Sequence, residues 1–452
     1  MQTQRDHVHA HQFQMARMSS ALLLGDPAMA ENPMRRTVLG LSAGIVISLL
    51  VVICFGVYGW IVPGGNDSWR KGGTIIVEKE TGTRYVYSNG QLFPTLNMAS
   101  AMILSGSSKV QLVSRKSLAG VPQGVPVGIP NAPQVMPADA KNMVRGPWLA
   151  CIGGSVNPSA ADQIGINLDP GAAALELPSG RFMLVRGGRK DYLLWRGHKH
   201  LIGDPSIPVA LGATNAESIP APVSWLNMVP SGDDLDVPAV PGSGSATVRV
   251  DGREVEVGAL FTQSTTAGGQ QLFVLRKDGL APVNQTMSQL LEAKNGTKPV
   301  ALDAAAVAAT PRSDDRSLST PFAELSASAW QDGAGLALCQ RQTPITKDTV
   351  DTQLVLTAPA LAALGPDGKA TVRLRSGTGM VVYAVPRTSS FGTPDTYLIA
   401  DRGLRYHLTD KDATKALGLV DGYQVPFPRT LLEALPSGPA LSRAAVVTEP
   451  EG

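Results

Sequence analysis

The chain has 452 residues, with 39 basic against 37 acidic side chains and a formal net charge of +2. That balance provides no global field for holding nucleic acid, whose binders carry a basic excess over the whole binding domain. The 47 glycines and 34 prolines argue against long helical bundles, because proline removes an amide donor and clashes in helix interiors. Many short strands, short helices and turns are expected.

The N-terminal tail, 6–24, places Phe13, Ala16, Ser20 and Leu23/Leu24 on one helical stripe. That pattern predicts a short amphipathic helix docking on a cytoplasmic partner or the membrane surface. His7, His9 and His11 lie in the same stretch. His7 and His11 are one helical turn apart, but no cysteine or acidic cluster accompanies them, so a polar helix face is expected and no metal site. Next comes "VLGLSAGIVISLLVVICFGVYGWIV", 38–62, without a charge. As a helix it is about 37 Å long, enough to cross a bilayer core of about 30 Å with some tilt. It starts too far from the terminus for a signal peptide. Arg35 and Arg36 flank one end and Trp60 the other. Cationic flanks stay cytoplasmic and tryptophan favours the interface, so the N-terminus is expected inside and the remainder outside.

Four stretches of the exported part resemble one another. They read "YVYSNGQLFPTLNMASAMIL" from Tyr85, "YLLWRGHKHLIGDPSIPVALGA" from Tyr192, "LFVLRKDGLAPVNQTMSQLLEA" from Leu272 and "YLIADRGLRYHLTDKDATKALGL" from Tyr397. Each has an apolar strand, a polar turn ending in glycine (Gly90, Gly197, Gly279, Gly403), a second strand and a helix-like stretch. Glycine there supplies the positive φ of a hairpin turn. "IPAPVSWLNMVPSG" from Ile219 and "VPFPRTLLEALPSG" from Val425 extend the match with proline-framed helices. Between these units, 246–260 and 352–377 read as hairpins with turns at Asp251-Gly252 and Asp367-Gly368. "WLACIGG" and "GLALCQ" read as short apolar strands carrying Cys151 and Cys339. The expected fold is a single-pass membrane protein whose α+β ectodomain has a discontinuous β-rich core and four α+β repeats. The expected division is 1–37 cytoplasmic, 38–62 membrane helix, repeats at 74–140, 181–236, 271–320 and 377–445, and core pieces at 141–180, 237–270 and 321–376.

Cys54 lies in the apolar run, leaving Cys151 and Cys339 outside, one pair in an oxidising compartment. Either they form a bond, closing a loop of nearly 190 residues worth about 5 kcal/mol in the chain-entropy model, or they are two separate buried thiols. The basic segment "RFMLVRGGRKDYLLWRGHKHLI", 181–202, resembles a nucleic-acid grip in isolation. In context it is the strand and turn of the second unit, with the "RGG" as a hairpin turn. Its basic side chains are expected on a solvated face or against an anionic wall polymer or lipid headgroup. His198 and His200 share a strand face without a third ligand.

Catalytic motifs are scarce. The nearest approach to a phosphate-cradling G-x-x-x-x-G-K-[ST] loop is "GPDGKAT", 365–371, with its glycines too close and Ala370 where a hydroxyl belongs; it is expected to be a hairpin turn. "GSGS" at 242–245 is linker-like. There is no H-E-x-x-H and no G-x-S-x-G. No catalytic, cofactor or metal residue is nominated.

The tail "QTQRDHVHAHQFQMARMSSALLLGDPAM", the single span, the cysteine pair and the four degenerate units together resemble the EccB family, the single-span subunit of the type VII (ESX) secretion machinery of actinobacteria. The most specific local match is "RDHVHAHQF" with "GDP". The resemblance covers nearly the whole chain. It implies a structural subunit of an inner-membrane complex, with a periplasmic β core, a Cys151–Cys339 disulfide and repeats similar in fold to a phage lysin's cell-wall-binding subunit. It implies partners in the other Ecc subunits, including the FtsK/SpoIIIE-type ATPase, the mycosin protease, further copies of the chain in the periplasm, and peptidoglycan. Some members are described as ATPases, and ATP as a ligand enters by that route alone.

Overall fold

The computed structural model describes residues 4–25, 35–61, 67–137, 139–171, 174–265, 268–333, 335–387, 394–400, 402–419 and 422–447. Two compact units separate by their contacts: residues 1–70 with 113–120, and residues 71–112 with 121–452.

The first unit is built on two helices, Gln4–Leu24 and Arg35–Ile61. The second holds the uncharged run. Among the described residues it is the one helix long and apolar enough to cross a membrane, over Arg36–Trp60, and none of its most apolar stretch is buried. Arg35 is its first residue, Arg36 is exposed, and Trp60 is 82% exposed. The helix Gln4–Leu24 corrects the amphipathic expectation. Phe13 and Leu23 are exposed, and so are Val8, Met15, Met18 and Leu22. At 100° per residue these two sets lie on opposite sides, so no single apolar face exists. The side chain withdrawn from solvent is Ser20, flanked by partly covered Ala16, Ser19 and Ala21.

Among the described residues the second unit contains a six-stranded core sheet, four sheets of four or five strands and a two-stranded ribbon. The core sheet runs in the order Val372–Arg373, Ile164–Asn167, Trp148–Ile152, Ala337–Pro344, Val350–Thr357, Leu175–Glu176. Alternation along Trp148–Ile152 sends Trp148, Ala150 and Ile152 to one face and Leu149 and Cys151 to the other, as the period of two requires. All five are buried, which fits a central strand covered on both faces.

The four sheets of four or five strands share one order of their first four strands, third-second-first-fourth. The first holds Ile75–Glu78, Arg84–Ser88, Gln91–Pro94 and Val110–Val113. The second holds Arg181–Gly187, Lys190–Trp195, His198–Leu201 and Ile219–Pro220. The third holds Leu260–Ser264, Gln270–Arg276, Gly279–Val283 and Val300–Ala301. The fourth holds Met380–Val385, Thr396–Ala400, Leu404–Leu408 and Gln424–Pro428. In each, a three-stranded meander is followed by a helix. A strand then returns along the first, in parallel where the second, third and fourth sheets are concerned. The turns at Asn89-Gly90 and Arg196-Gly197 have φ of 51° and 81°, and 50° and 78°, two successive left-handed residues that match the twist of a tight hairpin.

Apolar packing orders these sheets. The first packs with the fourth, the fourth and second pack on the Trp148 face of the core sheet, and the second packs with the third. Four expectations need correction. The segment 237–270 is not part of the core sheet: Thr247–Val250 and Arg253–Glu256 form a separate ribbon, and Leu260–Ser264 opens the third sheet. Residues 352–377 do not form a hairpin, since Val350–Thr357 and Val372–Arg373 lie in different places in the core sheet. Within 321–376, Ala329–Trp330 pairs with Arg181–Gly187 and belongs to the second sheet. Residues 113–120, inside 74–140, belong to the first compact unit.

Candidate functional site

Cys151 and Cys339 face each other in register on adjacent antiparallel strands. Their sulfurs are bonded, with Cα atoms 4.0 Å apart and 188 positions of sequence between them. Both are fully buried, among Leu149, Val355, Ala362 and Leu364. The bond therefore closes the core across an insertion that holds the whole second and third sheets.

On the opposite face of the same two strands lies a buried polar chain. Trp148 Nε1 donates to Gln342 Oε1 at 2.8 Å, Gln342 Nε2 to Gln340 Oε1 at 3.1 Å, and Gln340 Nε2 to the Trp225 carbonyl at 2.7 Å. Trp225 Nε1 closes the path by donating to the Ala150 carbonyl at 2.8 Å. Trp148, Trp225, Gln340 and Gln342 are at most 1% exposed. Trp148 also stacks at a tilt on Phe427 of the fourth sheet, with centroids 4.6 Å apart. The network thus ties the core sheet to the helix Val223–Met228. The sequence shows only a Q-R-Q triplet in an apolar strand. Period two puts the glutamines on the covered face and Arg341 on the other, which is the cue that was available.

The basic segment 181–202 is mostly committed within the fold. Arg186 makes a two-pronged contact with Asp191, Nε to Oδ1 at 2.8 Å and Nη2 to Oδ2 at 3.1 Å. Arg196 pairs with Glu324 and lies over the Trp195 ring. Lys199 Nζ donates to the Leu226 and Val229 carbonyls at 2.7 and 2.8 Å, a cation at a helix C-terminus; its burial lowers its pKa. Lys199 is half-buried and the other basic side chains of the segment are exposed, as a solvated face requires, with Arg186 and Arg196 paired at the surface.

His200 is 7% exposed, with Nδ1 2.8 Å from the Asp233 carbonyl and the ring edge-on to Phe322. A Cβ at Gly232 would meet that ring at 2.2 Å, so glycine is required where the chain passes the imidazole. Burial is the main cause holding the His200 pKa below its usual 6.5. The folded chain therefore resists a proton that the unfolded chain accepts below about pH 6.5. This contribution to stability is present above that pH and lost as pH falls. In denaturation titrations between pH 7 and 5, His200→Asn should show a flatter loss of stability than the parent; equal slopes would assign the acid sensitivity elsewhere.

The stretch 365–371 is a closed turn. The Gly365 amide donates to the Lys369 carbonyl, Gly368 to Gly365, and Thr371 to Ala363, each at 2.9 Å. The Lys369 amide donates to Asp367 Oδ1 at 3.0 Å. A phosphate cradle needs free amides at the start of a helix; here four amides are spent within the turn and a two-residue strand follows. Residues 242–245 form another turn. His7, His9 and His11 sit exposed on the first helix. Among the described residues no group of three His, Cys, Asp or Glu is placed to hold a metal.

A family model described as "Type VII secretion system ESX-1, transport TM domain B" matches residues 1–452. The ESX-3 secretion system ATPase EccB3 of Mycolicibacterium smegmatis is 27% identical, over 97% of this chain and 89% of that protein. The ESX-5 secretion system ATPase EccB5 of Mycobacterium marinum is 27% identical, over 98% and 93%. Among solved structures, the EccB3 dimer from the ESX-3 core complex aligns with a TM-score of 0.58 and 25% identity, covering 83% of this chain and all of that one. A chain of an intact ESX-5 inner membrane complex aligns over all of this chain at a TM-score of 0.59 and 22% identity, a likeness of fold.

Proposed function

We propose a function from the premise that this chain belongs to the EccB family of type VII secretion systems: it is a structural core subunit of an ESX inner-membrane complex, anchoring and organising the part of the machinery outside the membrane. The observation that carries this is the match of the family model along the full length, membrane helix and stapled ectodomain together. In this reading Arg35 and Arg36 hold the N-terminus in the cytoplasm, Trp60 sits at the far interface, and the second unit is periplasmic. The four sheets of common strand order are read as repeat domains, similar to a phage lysin's cell-wall-binding subunit, inserted around a disulfide-closed core. The partners are the other Ecc subunits, with the FtsK/SpoIIIE-type ATPase among them, the mycosin protease, and further copies of this chain, as the dimer described for a relative suggests. Peptidoglycan is a further partner in the wall-facing reading. After mild detergent extraction, tagged chain should co-purify with the other membrane subunits. Repeated isolation of the chain alone, with the complex intact elsewhere in the gradient, contradicts the assignment.

A second reading, ATP hydrolysis, is favoured by the word ATPase in the relatives' names. The closed turn at 365–371 supplies no phosphate cradle for it. The expected result is that hydrolysis by purified ectodomain falls with each step of purification. A constant specific activity through successive columns supports the enzyme instead.

A further inference from the structure

A cavity of about 440 Å³ opens between the first and fourth sheets. Four of the twelve described residues lining it are methionines: Met98, Met102, Met136 and Met143. The chain has eight methionines beyond residue 70, so half of them face one cavity. Packing does not require it, since leucine fills a core with better-defined rotamers.

Two of the four are carried on one anchored helix. Met98 and Met102 are four residues apart on the helix Met98–Ser105 and so share a face. That helix is fixed by Asn97, whose Oδ1 accepts from the Ser100 amide at 2.9 Å and whose Nδ2 donates to the Ile129 carbonyl at 2.7 Å. Met136 and Met143 come from the segment that follows the sheet. Met102 and Met136 are 3% and 8% exposed, so their thioethers are withdrawn from water. Among the described residues no histidine or cysteine lines the cavity, and the one carboxylate, Asp139, lies 3.3 Å from Lys141 Nζ.

A donor set of neutral thioethers discriminates by softness. It has little affinity for Mg²⁺, Ca²⁺ or Zn²⁺, which take oxygen, nitrogen or thiolate ligands, and it suits soft ions such as Cu(I). A monovalent ion also needs no second carboxylate beside Asp139 to balance a second charge. We propose that the methionine-lined cavity between the first and fourth sheets is a binding site for a soft monovalent metal ion, of the Cu(I) and Ag(I) class. Thioethers carry no proton at any working pH, whereas imidazole ligands must lose one before binding. Binding at this cavity is accordingly insensitive to pH, unlike any binding at His7, His9 and His11.

The test uses the full-length chain in detergent with Cys54→Ser, silver nitrate as the probe, and chloride-free buffer at pH 5.5 and 7. One equivalent of Ag(I) should bind at both values. With methyl-labelled methionine, the Met98, Met102, Met136 and Met143 signals should move together. The pair Met98→Leu with Met102→Leu keeps volume and apolarity, and should weaken binding at least about tenfold, since even outer-shell changes at metal sites cost that much. Met183→Leu with Met380→Leu should leave affinity unchanged. If the first pair does not fold, Met136→Leu and Met143→Leu singly carry the same expectation. Absence of binding at pH 5.5, shifts centred on other methionines, or affinity indifferent to all four substitutions overturns the site.

Discussion

Replacing both Cys151 and Cys339 by alanine should lower the stability of the ectodomain by about 2–5 kcal/mol, the range found for native disulfides, toward the upper end because the closed loop is long. The bond joins neighbouring central strands of the core sheet across 188 positions. Without it the second and third sheets lie in an untethered excursion of the unfolded chain, and the strands Trp148–Ile152 and Ala337–Pro344 must find each other unaided. The measurement is the shift in the denaturant midpoint of oxidised parent against the double variant, with Cys54→Ala as a control expected to show none. Non-reducing peptide mapping should yield a single linked pair, Cys151 with Cys339. A double variant that unfolds at the parent's midpoint removes the staple as a source of stability.

Gln340→Leu should be the most damaging single change in the core sheet's buried polar chain, costing about 3 kcal/mol. The substitution keeps volume but deletes both ends of a relay. The Trp225 carbonyl loses its donor and Gln342 Nε2 loses its acceptor, and each unpaired buried group costs about 1–3 kcal/mol. Gln342→Leu strands the Trp148 indole N–H in the same way. Because the two residues share one network, the double variant should cost less than the sum of the singles. Strict additivity of the two losses in a denaturation series would mean that the glutamines act independently.

Legibility in the sequence follows the range of the forces involved. The long apolar helix was readable because a long uncharged run is a local property. So were the tight turns at Gly90 and Gly197, whose backbone demands are met by two adjacent residues. The placement of 260–264 was not. "LFTQS" alternates as well for a core strand as for the first strand of the third sheet, and only pairing with Gln270–Arg276 decides. The same holds for 352–377, where a Pro-Asp-Gly turn is real but the flanking strands diverge. The first helix was misjudged because one apolar stripe was counted and the opposite one was not. The methionine cavity was invisible, since its walls come from positions about forty and over three hundred residues apart.

One repeated detail bears on how the sheet margins are closed to further strands. In each small sheet a proline-led segment comes back beside the third strand: Leu92 with Gln123, Lys199 with Ser231, Leu280 with Arg312, and Arg405 with Ser437. The carbonyls of Pro122, Pro230, Pro311 and Pro436 accept from that strand's amides at 2.8–2.9 Å. At the other margin the outermost strand is two residues long in the second and third sheets, and in the fourth it carries Pro426 and Pro428. Both outer strands of the core sheet are also two residues long. An exposed row of unpaired backbone groups is a template for intermolecular strand pairing, and short, proline-bearing or covered margins suppress it. These margins offer little backbone for another strand to pair with; the exception is Val110–Val113 at the edge of the first sheet, four residues long and without a proline.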